Sequence, residues 1–147
     1  MEQNKLVSIV IPCYNEEENI KKTFDGLLEI SRGHKYRFEI IAVNDGSKDN
    51  TWDVIQKYAR THEEIVGINQ MGNYGQSAAY QAGFDNSNGD YVVIVSADLE
   101  TPLENVNKVI DYLDEGYEFV NTNRKGRWGA GSSRQTKSGL ANKIIAK

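Results

Sequence analysis

Three polar clusters in this chain carry residue types able to do chemistry: Pro12-Cys13-Tyr14-Asn15-Glu16, Asn44-Asp45-Gly46-Ser47 and Ser96-Ala97-Asp98-Leu99-Glu100. The carboxylates of Glu16 and Asp45 are acceptors suited to the ring N–H and amino donors of a nucleotide base and to ribose hydroxyls. Asp98 and Glu100 stand at i and i+2. In an extended segment their side chains would point the same way and offer oxygen ligands to a hard divalent ion, the kind a pyrophosphate needs. Each cluster alone has a plainer reading. Asp45-Gly46-Ser47 suits a turn and a helix cap, Glu16 a solvated first-turn acid, and Asp98 and Glu100 dipole partners of the next helix. Gathered at one sheet edge, however, such carboxylates repel one another and call for ligand donors or a cation, which favours a binding site.

The pattern around the clusters predicts elements that would gather them. Leu6 to Ile11 is an apolar run closed by Pro12, as in a buried strand. Ile20, Phe24, Leu27 and Leu28 recur at helical spacing, with Asn15 and the acids Glu16, Glu17 and Glu18 placed to cap that helix. Phe38 to Val43 reads as a second strand, Trp52, Ile55 and Ala59 mark a second helix, and Ile65 to Ile68 is a short third strand. Small residues from Gln76 to Phe84 suggest a helix packed closely on a sheet, followed by an apolar strand from Tyr91 to Val95. Thr101-Pro102-Leu103-Glu104 has the form of a capping box with Pro at the first helical position. A fourth helix is therefore expected from there to Gly116, ahead of a fifth strand, Glu118 to Thr122. Strands that alternate with helices predict an α/β fold, a mostly parallel sheet with helices on both faces. Ligands in such sheets bind outside the carboxyl ends of the strands, and the three clusters follow strands one, two and four.

With 147 residues, 39% hydrophobic and 26% charged, the chain suits one globular domain with a real core. No run approaches the roughly 18 apolar residues of a membrane-spanning helix, and the first strand comes too early for a cleaved signal peptide, which predicts a cytoplasmic location. The lone Cys13 excludes an internal disulfide and, at the end of an apolar run, reads as a small buried hydrophobe. The net charge of −4 is unevenly spread, because no acid follows Glu118 while Arg124, Lys125, Arg127, Arg134, Lys137, Lys143 and Lys147 do. Such a block attracts phosphates, anionic lipid surfaces or nucleic acid, and equally suits a solvated face. Gly126 to Ser138, rich in Gly and Ser, reads as one mobile loop.

Five stretches together resemble family 2 glycosyltransferases of the GT-A fold: Val7 to Glu16, Val43 to Thr51, Asn73-Tyr74-Gly75, Gly89-Asp90 and Ala97-Asp98-Leu99. Within that family the chain is most similar to the dolichyl-phosphate mannose synthase and polyprenyl-phosphate glycosyltransferase branch. The resemblance implies a Rossmann-like nucleotide-sugar-binding half that transfers sugar, with inversion, from a UDP- or GDP-linked donor to a polyprenyl phosphate or a glycan hydroxyl. It implies magnesium or manganese as cofactor, a place in cell envelope or polysaccharide biosynthesis, and no nucleic-acid partner; a homo-oligomer is left open. Residue by residue, it implies that Pro12, Tyr14 and Glu16 contact the nucleoside and that Val43 and Asp45 contact base and ribose. Ser96, Ala97 and Asp98 would surround the diphosphate, with Asp98 the principal metal ligand, Glu100 beside it, and Arg124 on the donor.

Two departures qualify this. The branch usually reads Asp-Ala-Asp-Leu-Gln where this chain has Ser96-Ala97-Asp98-Leu99-Glu100, so a carboxylate is lost at one end and gained at the other. The expectation is that Glu100 takes over the missing charge and the ion still binds; the rival is a weakened or metal-independent site. Gln76 stands where many relatives carry a basic residue, which puts a phosphate contact from that helix in doubt.

A hydroxyl acceptor needs a general base, and no acid follows Glu118 to serve as one; a lipid phosphate is already ionised and attacks without one. The catalytic group is therefore unassigned. Leu140, Ile144 and Ile145 suggest the start of an apolar helix. The expected organisation is a nucleotide-sugar-binding domain over residues 1–123, then a basic loop and the start of that helix over 124–147, belonging to a catalytic region cut short. The basic tail would face a lipid phosphate or the inner face of a membrane. A sugar nucleotidyltransferase or a Rossmann dehydrogenase would need a glycine-rich phosphate loop after the first strand, and none is there. A non-catalytic nucleotide-binding fragment is the remaining alternative.

Overall fold

A computed structural model describes residues 4–121 and the backbone of residues 142 and 143. The chain divides into two compact units, Met1–Glu104 and Asn105–Lys147. In the first, strands β1 (Leu6–Cys13), β2 (Arg37–Asn44), β3 (Ile65–Asn69) and β4 (Tyr91–Ile94) form one sheet in the order β3-β2-β1-β4. Every neighbouring pair is parallel. Helices α1 (Ile20–Gly33), α2 (Thr51–Thr61) and α3 (Gln76–Asp85) make the crossovers. The α/β fold read from the sequence is the one observed.

Both faces of the sheet are covered, and small residues decide how closely. A Cβ on Gly83 of α3 would lie 2.3 Å from the Val10 side chain, so α3 rests almost directly on β1. Ala79 of the same helix is buried with Ile41 and Val43 of β2. On the opposite face, Gly67 of β3 makes room for Ile55 and Trp52 of α2. Phe24 of α1 packs at a tilt against Tyr58 of α2 with ring centroids 5.0 Å apart, and Tyr58 donates to Asp25 at 2.8 Å. The strand starts are pinned separately. Asp90 accepts the Leu6 N–H at 2.9 Å, while the Gly89 N–H donates to the Ser8 hydroxyl at 2.8 Å. A Cβ on Gly89 would fall 2.5 Å from that hydroxyl oxygen. Gly89-Asp90 therefore sets the register of β4 on β1.

Several boundaries differ from the sequence expectation. β1 does not stop at Ile11 but runs through Pro12, in register with Val43, to Cys13. The Val10 carbonyl bonds Val95 beside β4, and Pro12, two residues on, faces the same side beyond the last β4 pair. Its missing N–H thus removes no ladder bond. Helix α1 begins at Ile20, with Asn19 rather than Asn15 at its N-cap. Asn15 sits instead at φ 52°, tied to the β2–α2 loop. Val92 and Ile94 are 40% and 47% exposed, so the apolar strand β4 leaves one of its faces partly exposed.

In the second unit, helix α4 spans Asn105–Asp114, with Val106 and Ile110 buried. The Thr101 box does not open it. Leu103 is instead seated against Gly26 of α1, and the segment stays a turn. Gly116, at φ 96°, follows the helix end as expected. Strand β5 covers only Val120–Asn121 of the described residues and pairs antiparallel with β6, Asn142–Lys143. The helix expected to begin near Leu140 is thus replaced by a strand at 142 and 143. Leu140, Ile144, Ile145 and the loop from Gly126 to Ser138 lie outside the described residues.

Candidate functional site at the carboxyl edge of the sheet

The order β3-β2-β1-β4 places a reversal of winding between β1 and β4, with α2 on one face and α3 on the other. Loops leaving adjacent strands in opposite directions open a crevice at such a point. A cleft of about 360 Å³ lies there. The end of β1 supplies Pro12 and Cys13, and the loop after it Tyr14 and Glu16; after β2 comes Asp45; after β4, Ser96, Ala97 and Asp98; and the entry to α3 supplies Asn73, Gly75 and Gln76.

The first two loops hold each other. The Asn15 N–H donates to the Ser47 hydroxyl at 3.0 Å, and the Asn15 side-chain oxygen accepts the Lys48 N–H at 2.8 Å. Glu16 N–H donates to the Thr51 hydroxyl at 2.8 Å, and Glu17 accepts the Asn50 N–H at 3.1 Å. Most of the polar residues in these two motifs therefore build a clasp, which leaves Glu16 and Asp45 at its inner edge. The sequence carried no sign of this pairing, because its halves are more than 30 residues apart.

Asp45 is nearly buried, and its two oxygens accept the N–H groups of Tyr74 and Gly75 at 2.8 and 3.2 Å. It thereby fixes the loop that enters α3. Gly46, at φ 67°, sits where a Cβ would be 2.4 Å from the Asn73 nitrogen. Residues 72–75 press directly on the β2 turn, which is why the Asn73-Tyr74-Gly75 stretch reaches the cleft at all.

Across the cleft, the Ser96 hydroxyl donates to Asp98 Oδ1 at 2.7 Å, and the Glu100 N–H donates to the same oxygen at 3.0 Å. Leu99 between them lies at φ 58°. The segment is a tight turn, not the extended stretch that would aim Asp98 and Glu100 the same way. Asp98 lines the cleft; Glu100 is exposed and does not. Burial, and after it repulsion from Asp98 and Asp49, raises the Glu16 carboxyl above its ordinary pKa of 4.5, against a hydrogen bond from Asn19 that lowers it. A donor or cation beside Glu16 would favour its charged form. Burial, then the charge of Glu16, pushes the Cys13 thiol well up.

Of the residues singled out from sequence, Pro12, Tyr14, Glu16, Asp45, Ser96, Ala97 and Asp98 share this cleft. Val43 does not: its side chain is fully buried with Ile41 and Ala79, so a contact with a base would have to come from its backbone. Arg124 lies outside the described residues. Among the described residues no three His, Cys, Asp or Glu side chains form a group that could hold a metal ion. The described residues of the cleft therefore form no preformed cage. It fits the other mode, in which magnesium or manganese takes one or two carboxylates and completes its shell with substrate phosphates and water.

A family model, Glycosyl transferase family 2, matches residues 8–143. The chain belongs to this family. It is 37% identical over 141 residues to an uncharacterized glycosyltransferase of Synechocystis, covering 96% of this chain and 44% of that one. It is 36% identical over 147 residues to the undecaprenyl-phosphate 4-deoxy-4-formamido-L-arabinose transferase of Photorhabdus laumondii, covering 99% and 45%. The chain thus spans less than half the length of these curated relatives. Among solved structures, the fold is similar to the mannosyltransferase PcManGT of Pyrobaculum calidifontis in complex with GDP-Man and Mn2+, with a TM-score of 0.62 at 24% identity over 74% of this chain and 32% of that one. It is also similar to S. aureus TarS 1–349 in complex with UDP, with a TM-score of 0.59 at 22% identity over 74% and 32%. No helix among the described residues is long and apolar enough to cross a membrane.

Proposed function

We propose that residues 1–123 bind a UDP- or GDP-linked sugar for inverting transfer to a polyprenyl phosphate at the cytoplasmic face of a membrane. The single observation that carries this reading is the shared cleft, which brings Glu16, Asp45 and Asp98 together from three separate loops. Pro12, Tyr14 and Glu16 would take the base and ribose through ring contact and carboxylate acceptors. Backbone atoms of Val43, and Asp45 through the loop it holds, would shape the same pocket. Ser96, Ala97 and Asp98 would border the diphosphate, with Arg124 adding positive charge to the donor. Asp98 is the residue that would hold magnesium or manganese, and Glu100 would lend its charge from outside the cleft. The ion, when bound, offsets negative charge on the leaving diphosphate. A phosphate acceptor is supported by the undecaprenyl-phosphate specificity in the names of several relatives, and it needs no general base because it is already ionised. Residues 124–147, rich in Lys and Arg, would meet that anionic acceptor or surface.

The test is the melting temperature of the chain with UDP, GDP and their sugar conjugates, each with and without manganese. A ligand present at 100 times its Kd adds about 2.7 kcal/mol of apparent stability. One base should raise the melting point, manganese should raise it further, and Asp98→Ala should keep the first increment and lose the second. If no nucleotide shifts the melting point at millimolar concentration, the reading fails. Release of free sugar or of sugar on a polyprenyl phosphate separates an active transferase from a nucleotide-binding fragment.

A further inference from the structure

The oxygen Oδ1 of Asp98 accepts two hydrogen bonds from its own loop, one from the Ser96 hydroxyl at 2.7 Å and one from the Glu100 N–H at 3.0 Å. Between them Leu99 is held at φ 58°, a conformation that residues with a Cβ adopt only when their surroundings impose it. The loop is anchored at its base as well, because the Ala97 carbonyl accepts the Thr23 hydroxyl of α1 at 3.1 Å and Ala97 is buried. The backbone on both sides of Asp98 is therefore fixed. With the backbone fixed, the remaining freedom of Asp98 is rotation of its side chain, and the Ser96 hydroxyl restricts that rotation. Ser96 and Asp98 both line the cleft, opposite Glu16, whose charge Asp98 opposes.

We infer that Ser96 is a positioning residue whose hydroxyl orients the Asp98 carboxylate before ligand arrives, and so sets how tightly the cleft holds a divalent cation on a nucleoside diphosphate. This rests on the nucleotide-binding reading given above. The chemistry follows from what a hydroxyl can and cannot do at this place. It donates to the carboxylate and leaves it charged, so the pair is stable without a cation. An acid at position 96 would instead set a second negative charge beside Asp98, and the same loop would then need a cation to relieve the repulsion. The serine thus lowers the negative charge at this edge of the cleft while keeping one carboxylate aimed. Partners that orient a metal-ligating carboxylate in this way govern affinity without touching the ion.

The experiment is a titration of manganese, followed by its free-ion paramagnetic resonance signal, into the 147-residue chain with UDP and, in parallel, GDP. The unaltered chain, Ser96→Ala, Ser96→Thr and Ser96→Asp are compared, with melting temperatures taken alongside. Ser96→Ala is expected to weaken manganese about 10-fold in the nucleotide complex, a larger loss than it causes in nucleotide binding without metal. Ser96→Thr, which keeps the hydroxyl, should restore binding. Ser96→Asp should melt lower than the unaltered chain without metal and recover when manganese is added, a response that a purely structural serine would not give. Equal manganese affinity in Ser96→Ala and the unaltered chain overturns the role of Ser96 and leaves the nucleotide reading standing. Should Ser96→Ala not fold, a Ser96→Asp protein whose melting point ignores manganese overturns it equally. Failure of the unaltered chain to bind either nucleotide overturns both readings, whereas nucleotide binding without any manganese binding overturns only this one.

Discussion

Asp45 and Gly75 are joined across two loops by a 3.2 Å hydrogen bond from the Gly75 N–H to a carboxylate oxygen, and the other oxygen of the same group takes the Tyr74 N–H at 2.8 Å. Asp45 therefore organises a wall of the cleft. Bonds to a charged acceptor are worth about 1.5 to 3 kcal/mol each. Asp45→Ala is expected to destabilise the chain by about 2 to 4 kcal/mol in urea unfolding. Hydrogen exchange at Tyr74 and Gly75 should quicken at the same time, ahead of the amides of β2. Unchanged exchange at those two amides would contradict the assignment.

Glu16 predicts a pH dependence of the opposite kind to most carboxylates. Its raised pKa means that the folded chain keeps this proton at a pH where the unfolded chain has released it. That stabilisation is fully present below the ordinary value of 4.5 and is lost as pH rises through the raised one. Glu16→Gln should therefore melt higher than the unaltered chain at neutral pH, and the two should converge in acid. The same variant should bind nucleotide less well, since an amide is a poorer acceptor than a carboxylate. Melting curves from pH 4 to 8 and a binding isotherm at pH 7 are the measurements.

Glu39 carries the reverse sign. Burial alone would raise its carboxyl, but bonds from the Ser8 hydroxyl and from the backbone and side chain of Asn88 outweigh that and hold it below its ordinary value. Its contribution is present above the ordinary carboxylate pKa and is lost as pH falls through the lowered one. Glu39→Gln is expected to lower the urea midpoint at pH 7 and to matter progressively less toward pH 3. Because Glu39 lies at the start of β2, away from the cleft, nucleotide affinity of the folded variant should be unaffected.

Cys13 is 1% exposed, and its thiol is pushed up by burial and by the Glu16 charge. The thiolate is the reactive form. Ellman's reagent should thus modify Cys13 only as the chain unfolds, with a rate that follows the denaturation curve. Fast labelling of the native chain would show that β1 opens locally at its carboxyl end.

The sequence by itself determined the alternation of strands and helices, the parallel sheet and the residues that could act as acceptors. These follow from local periodicity and from side-chain chemistry, which survive without knowledge of neighbours. Even Gly83 and Ala79 announced a close helix, since only small residues permit one. Tertiary structure decided the rest. The switch between β1 and β4 places three loops around one cleft, and no local pattern encodes the order of strands in a sheet. Pairing between distant loops turned Asn15 and Ser47 from candidate caps into a clasp completed by Thr51, and drew Asn15 out of the helix it was expected to open. The positive φ of Leu99 turned Glu100 away from the cleft that Asp98 lines, because a spacing of two residues aligns side chains only where the backbone is extended.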